Sequence, residues 1–170
     1  MQQIWGKLLA GEVVRPGSFH PRTLGIVKDM RAEDVQLFIK LCRFALAMDG
    51  QDLRVLLFDH RDPLYAGLSF DDLRHLESLG LISYSGISGY GVDGLPPKFS
   101  LPYGNEVLTI ELREGVSQLD VGEVLLTEAG VELSRLCGAA PVAGFLEHVA
   151  ERWRHNAHTV TIVTRQAAAS

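Results

Sequence analysis

The chain has 170 residues, with 46% apolar and 22% charged side chains and a net charge of −5. That is enough chain for one core that buries roughly 70% of the unfolded surface, and the balance excludes disorder and fibrous architectures. No apolar run approaches the ~20 residues needed to cross a bilayer, so no membrane partner is expected.

The charge is unevenly spread. Residues 1 to 31 carry Lys7, Arg15, Arg22, Lys28 and Arg31 against Glu12 and Asp29, a net of +3, which leaves −8 for the remainder. A basic N-terminal segment of this kind can dock on an acidic body or partner, or simply be solvated. Met1 to Glu12 shows no positive cluster followed by an apolar stretch and a cleavage site, so a cytoplasmic location is expected. Cys42 and Cys137 lie on apolar helical stripes and read as buried thiols in preference to a disulfide, and no Cys/His spacing matches a zinc site.

In chain order, Ile4, Trp5, Leu8 and Leu9 predict a short amphipathic helix over Gln2 to Val14, stopped by Arg15-Pro16-Gly17-Ser18. Pro21 suits the first position of a second helix that carries Leu24, Val27 and Lys28. Val35, Phe38, Ile39, Cys42, Ala45 and Leu46 repeat at helical spacing and predict the strongest helix of the chain. Leu53 to Phe58 reads as a buried strand. Ser69 and Asp72 form a capping-box pattern before Phe70, Leu73, Leu76 and Leu79, and Gly80 provides a left-handed stop.

Ser83 to Pro97 is rich in glycine and serine and reads as a loop. Leu108, Ile110 and Leu112 alternate as a half-buried strand; Leu119 to Leu126 forms another, with a bulge at Gly122. Thr127 caps a helix that ends at Gly138, and a further helix from Pro141 places Val142, Phe145, Leu146, Val149 and Trp153 on one face. His158 to Thr164 predicts the last strand, before a fraying Ala-Ala-Ala-Ser tail.

Few residue groups carry candidate chemistry. Pro16-Gly17-Ser18-Phe19 either presents Ser18 and Arg22 to a ligand or is a tight turn with Phe19 in the core; the second reading is preferred. Asp59-His60-Arg61-Asp62 follows a predicted strand and offers an acid and a base, yet neither an activated nucleophile nor metal spacing accompanies it. His148, His155 and His158 lack a clear carboxylate partner for a metal. Gly86-x-x-Gly89-x-Gly91 neither opens a helix nor precedes Lys-Ser/Thr, so it is not a phosphate cradle. No catalytic residue, cofactor or metal is assigned.

The order Leu73-x-x-Leu76-x-x-x-Gly80-Leu81-Ile82, two strands, then Leu126-Thr127-x-x-Gly130 resembles the later half of a winged-helix domain over about residues 69 to 137. DNA-reading winged helices neutralise phosphates with Lys and Arg. Here the helix after Ser69 carries Asp71, Asp72 and Glu77 against Arg74, so DNA binding through it is disfavoured. The words Trp5-Gly6-Lys7-Leu8-Leu9-Ala10-Gly11-Glu12, Pro16-Gly17-Ser18-Phe19, Arg22-Thr23-Leu24 and Glu33-Asp34-Val35-x-x-Phe38 resemble a bacterial family known as domain of unknown function 2806. Arg31 departs from it at a cap position where serine would be more typical. The resemblance implies no established activity. It implies that this region is the C-terminal part of a longer chain, and a looser similarity to helical domains associated with abortive infection suggests phage defence by analogy.

The resulting expectation is one mixed α/β (α+β) domain, residues 1 to 170, with N-terminal helices (1 to 48) packed on a winged-helix-like body (49 to 170) that has a β-hairpin. Its expected role is a non-enzymatic regulatory or protein-interaction module with a protein partner or a second copy as its ligand. Lys7, Arg15, Ser18, Arg22 and Lys28 are its candidate binding residues. A nucleic-acid-binding regulator that uses the basic N-terminal segment is the alternative, and a hydrolase centred on Asp59 to Asp62 is the third reading.

Overall fold

The computed structural model describes residue 6 and residues 19–48, 52–116 and 118–165. Among them the chain forms five α-helices and nine short strands in small antiparallel sheets, an α+β arrangement. No helix among the described residues is long and apolar enough to cross a membrane. The expected helix over Gln2 to Val14 and the turn at Arg15 to Ser18 lie outside the described residues.

Helix α1 (Pro21–Asp29) starts with Pro21 at its first position, capped by the His20 side chain, which accepts from Arg22 N–H at 3.1 Å. Helix α2 (Ala32–Cys42) buries Val35, Phe38, Leu41 and Cys42. Its N-cap is Arg31, whose side chain makes no cap bond; Asp34 instead takes the Arg31 backbone N–H at 2.7 Å. Asp34 therefore supplies the half of a capping box that an arginine does not remove.

The expected helix ran on through Ala45 and Leu46, and this is corrected by the structure. The helix turns at Arg43 and Phe44, and strand β1 (Ala45–Met48) pairs antiparallel with β2 (Asp52–Val55), Ala45 opposite Val55. Ala-Leu-Ala-Met has good helix propensity, but the ladder and the burial of Phe44 and Leu46 outweigh a preference of only a few tenths of a kcal/mol per residue.

Helix α3 (Phe70–Ser78) shows the full capping box at Ser69 and Asp72 and ends before Gly80, whose φ is +76°. Strand β3 (Ile82–Tyr84) follows. The stretch expected to be all loop contains β4 (Tyr90–Val92), and an unforeseen strand β5 (Lys98–Tyr103) turns Phe99, Leu101 and Tyr103 inward. Pro102 hid β5 in the sequence. It is tolerated because β5 lies at an edge of the sheet β5-β6-β9.

Strand β6 (Glu106–Glu111) forms a hairpin with β5 and pairs on its other side with β9 (Thr159–Thr164). The strand read over Leu119 to Leu126 divides at Glu123. Its first part, β7 (Leu119–Gly122), pairs with β4, while β8 (Val124–Leu126) pairs with β3. The order of helix, strands and helix over residues 69 to 137 is present, but the strand at 108 does not pair with the strand at 119.

Thr127 opens helix α4 (Glu128–Cys137) by accepting from Gly130 N–H at 3.1 Å, and Gly138 closes it at φ +55°. The last helix, α5 (Phe145–His155), begins four residues later than Pro141 suggested, because Gly144 at φ +76° forms its N-cap and leaves Val142 outside it. Phe145, Leu146, Val149 and Trp153 are all buried as expected.

The core gathers around aromatic contacts. Phe44 meets Tyr65 and Phe145 edge-on, with centroids 4.9 and 5.4 Å away. Each such pair is worth about 1 kcal/mol beyond simple burial. Their polar tips are satisfied: Tyr65 Oη donates to the Leu56 carbonyl, and Tyr103 Oη donates to the Arg43 carbonyl while accepting from Val142 N–H. Trp153 is fully buried with its Nε1 donating to the Asp120 carbonyl at 2.9 Å.

Candidate functional site

The chain leaves β2 through the buried residues Val55 to Phe58 and turns at Asp59 to Asp62. Asp59 shapes that turn. Its Oδ1 accepts the Arg61 backbone N–H at 3.0 Å, and its carboxylate takes Nε and Nη2 of the same arginine at 2.9 Å each. The guanidinium beside Asp59 holds its carboxyl down at about 2. Asp62 is absorbed locally as well, capping the short 3-10 turn Pro63–Tyr65 through Leu64 N–H.

His60 points to a residue that the sequence reading did not connect with it. At the end of β7, Gly122 at φ +95° packs against the Leu57 carbonyl, and Glu123, between β7 and β8, donates its backbone N–H to that carbonyl at 2.7 Å. This strap holds the Glu123 carboxylate under the turn. Glu123 Oε2 accepts from His60 Nδ1 at 3.0 Å and from the His60 backbone N–H at 3.3 Å.

Tyr84 Oη lies 3.2 Å from the same imidazole nitrogen. Burial, and then the negative charges of Glu123 and Asp59, push the Tyr84 phenol above its ordinary range. Phe70 completes the cluster, its ring centroid 6.2 Å from His60 and 5.8 Å from Tyr84. Phe70 is 51% exposed, and Ile87, at the tip of the next turn, is fully exposed. Glu123 is buried and Arg61 projects into solvent, its side chain 78% exposed.

His60 Nδ1–H donates to Glu123, which leaves Nε2 as the acceptor, with no hydrogen-bond partner among the described residues. An imidazole oriented in this way can accept a proton, bind a cation after changing tautomer, or offer a ring to a partner. The described residues place no serine or cysteine within hydrogen-bonding reach of it, so its geometry lacks an activated nucleophile.

Of the other sequence candidates, Lys7, Arg15 and Ser18 lie outside the described residues. Arg22 and Lys28 are exposed on α1, whose start is tied to α4 through the His20 backbone N–H and the Glu132 carboxylate. Phe19 is half-buried against the core, while the turn Pro16 to Ser18 before it lies outside the described residues.

The three C-terminal histidines separate. His148 Nδ1 faces Asp62 at 3.8 Å, His155 Nδ1 contacts the Glu151 carbonyl, and His158 Nδ1 accepts from Arg113 N–H at 3.1 Å. Gly89 and Gly91 line an open cleft of about 690 Å³ with Arg113, Asp120 and His158, but no helix begins there. A second histidine–carboxylate pair, His75 Nε2 to Asp34 Oδ1 at 2.7 Å, stands over a cavity of about 610 Å³ beside α2 and α3. Cys42 and Cys137 meet with a hydrogen bond between their thiols, and that bond together with burial pushes the Cys42 thiol well up.

The charges of α3 are largely committed. Asp72 caps the helix, while Glu77 pairs with Arg74 and accepts the Tyr84 backbone N–H.

Fold and site together define an α+β protein with a buried carboxylate holding a histidine at an aromatic surface patch. The family model described as a protein of unknown function, DUF2806, matches residues 1–150, and the chain belongs to that family. No curated protein and no solved structure matches the chain.

Proposed function

We propose that this chain is a non-enzymatic protein-interaction module with a regulatory role exerted through its partner, and that Phe70, Tyr84 and His60 form the centre of its contact surface. The observation that carries the reading is the half-exposed Phe70 ring packed edge-on against Tyr84 and tilted against His60, whose imidazole is held by buried Glu123. Aromatic side chains held rigidly at a surface bury large area at little entropic loss, which is why they dominate interface energetics. Arg61 adds a charged rim, and the fully exposed Ile87 stands in the turn that follows β3, the strand that carries Tyr84.

This reading keeps the chain in the cytoplasm, with the winged-helix-like body serving as a scaffold. The photoreactive residue p-benzoylphenylalanine at position 70 or 87, in the full chain expressed in cells, should give a discrete cross-linked adduct. The same residue at exposed Glu114 should give none. No adduct from either patch position overturns the reading.

Self-association has its own support. Strand β9, Thr-Val-Thr-Ile-Val-Thr, is uncharged and entirely β-branched, and it forms an edge of its sheet. Such edges pair with other strands unless they are guarded, and among the described residues the side-chain hydrogen bonds to this strand are those of Arg154 to the Val160 carbonyl. Light scattering should show a dimer that Val163→Lys dissociates; a strict monomer removes the second copy from the candidate partners. The nucleic-acid reading predicts a gel shift at low salt, and its absence at micromolar protein ends it.

A further inference from the structure

We propose that His60, Glu123 and Asp59 bind one divalent transition-metal cation of the zinc class. Among the described residues this is the one group of three whose ligand atoms converge, all lying within 4.8 Å of one another. His60 Nδ1 and Glu123 Oε2 are 3.0 Å apart. Two tetrahedral donors that each sit ~2.0–2.2 Å from a shared zinc ion stand roughly 3.3–3.6 Å apart, so the pair has to open by only a few tenths of an ångström.

A second observation concerns the carboxylate itself. Glu123 is 8% exposed and both of its hydrogen bonds from His60 fall on Oε2, while Oε1 accepts from no described residue. A buried carboxylate oxygen without a donor calls for a water or a cation. Asp59 is the third ligand. It is held by Arg61, an exposed ion pair of little net strength, and a rotation of its side chain toward His60 exchanges the guanidinium for the metal.

An imidazole nitrogen among the donors favours a zinc-class ion over magnesium or calcium, which prefer sites built from oxygen alone. Binding uses the Nδ1 lone pair. The N–H of the neutral ring therefore moves through water to Nε2, whose position has no described partner to oppose it, and the proton count of the ring does not change. Tyr84 Oη stands next to the nitrogen, so water or the phenol can take the fourth position.

The test uses the full chain, stripped with a chelator and titrated with zinc chloride by calorimetry at pH 7. Cobalt(II) then serves as a spectroscopic probe. One ion per chain is expected, with roughly tenfold or greater weakening in Glu123→Gln and in His60→Ala. Asp59→Asn, which keeps a carbonyl oxygen to accept the Arg61 N–H, should weaken binding in the same direction, and its metal-free melting temperature, measured alongside, separates a lost ligand from a folding artefact.

Cys42→Ser with Cys137→Ser should bind as the parent does, and cobalt should show no thiolate charge-transfer band. No saturable binding, binding unmoved by Glu123→Gln and His60→Ala, or binding that depends on the cysteines overturns the site. Cross-linking from position 70 in chelator-treated cells separates the outcomes, because the interaction reading does not require the ion.

Discussion

The Leu57 carbonyl occupies the space where a side chain on Gly122 would begin: a Cβ there would lie 2.1 Å from the oxygen. Gly122 also has φ +95°, a conformation that L side chains rarely adopt. This close approach sets Glu123 beneath His60, so the candidate site depends on a glycine that touches no ligand. Gly122→Ala should destabilise the fold by about 3 kcal/mol, a fall in melting temperature of roughly 6–12 °C for a chain of this size. Differential scanning calorimetry measures it, and a shift under 2 °C, about 1 kcal/mol or less on the same scale, would show that the strap yields freely.

Asp34 joins α2 to α3 by accepting both the Arg31 N–H and His75 Nε2. Burial works against its charge, yet the bonds from His75 and Arg31 hold its carboxyl below the ordinary value of 3.8. A lowered carboxylate stabilises the fold fully above the unfolded value and loses that contribution as the pH falls through the folded one. Asp34→Ala should lose about 1–2 kcal/mol at pH 7. In urea titrations the gap between parent and variant should close as the pH drops below 4.

His158 is governed by the opposite charge logic. Burial, and then the nearby Arg113 cation, lower it below its ordinary 6.5, and its Nδ1 must stay unprotonated to accept the Arg113 N–H. The unfolded chain therefore binds this proton more readily, and stability should fall as the pH drops below 6.5. His158→Asn can keep the acceptor without titrating. Thermal melts at pH 7.5 and 5.5 should show a smaller pH difference in the variant than in the parent.

Cys42 is buried against Cys137 at the C-terminal ends of α2 and α4, and its thiol is pushed up. Only the thiolate reacts with alkylating reagents. Iodoacetamide at pH 8 should leave Cys42 unmodified in the native protein and label it fully in denaturant, as read by peptide mass spectrometry.

Local signals were legible where one residue decides a local geometry. The Ser69–Asp72 box, Pro21 at a helix start, Thr127 as a cap and Gly80 and Gly138 as stops all stand where the sequence placed them. Family membership was legible too, and the family model matches residues 1–150. Half of the site was in view, since Asp59-His60-Arg61-Asp62 drew attention as charge after a strand. Glu123 was not connected with it, although a carboxylate set between Val121 and Val124 in an apolar run was a signal to ask what that charge meets.

The sequence by itself determined the caps, the apolar faces and the alternation of strands, because each depends on residues within a turn or a pleat of one another. Tertiary structure decided which strands pair, that Ala45–Met48 is a strand, and that His60 meets a residue 63 positions away. These outcomes are set by competition among distant surfaces for burial and hydrogen bonds, which no local propensity encodes. The candidate site belongs to that second class, since the Leu57–Gly122 contact exists only once β7 and β8 have found separate partners.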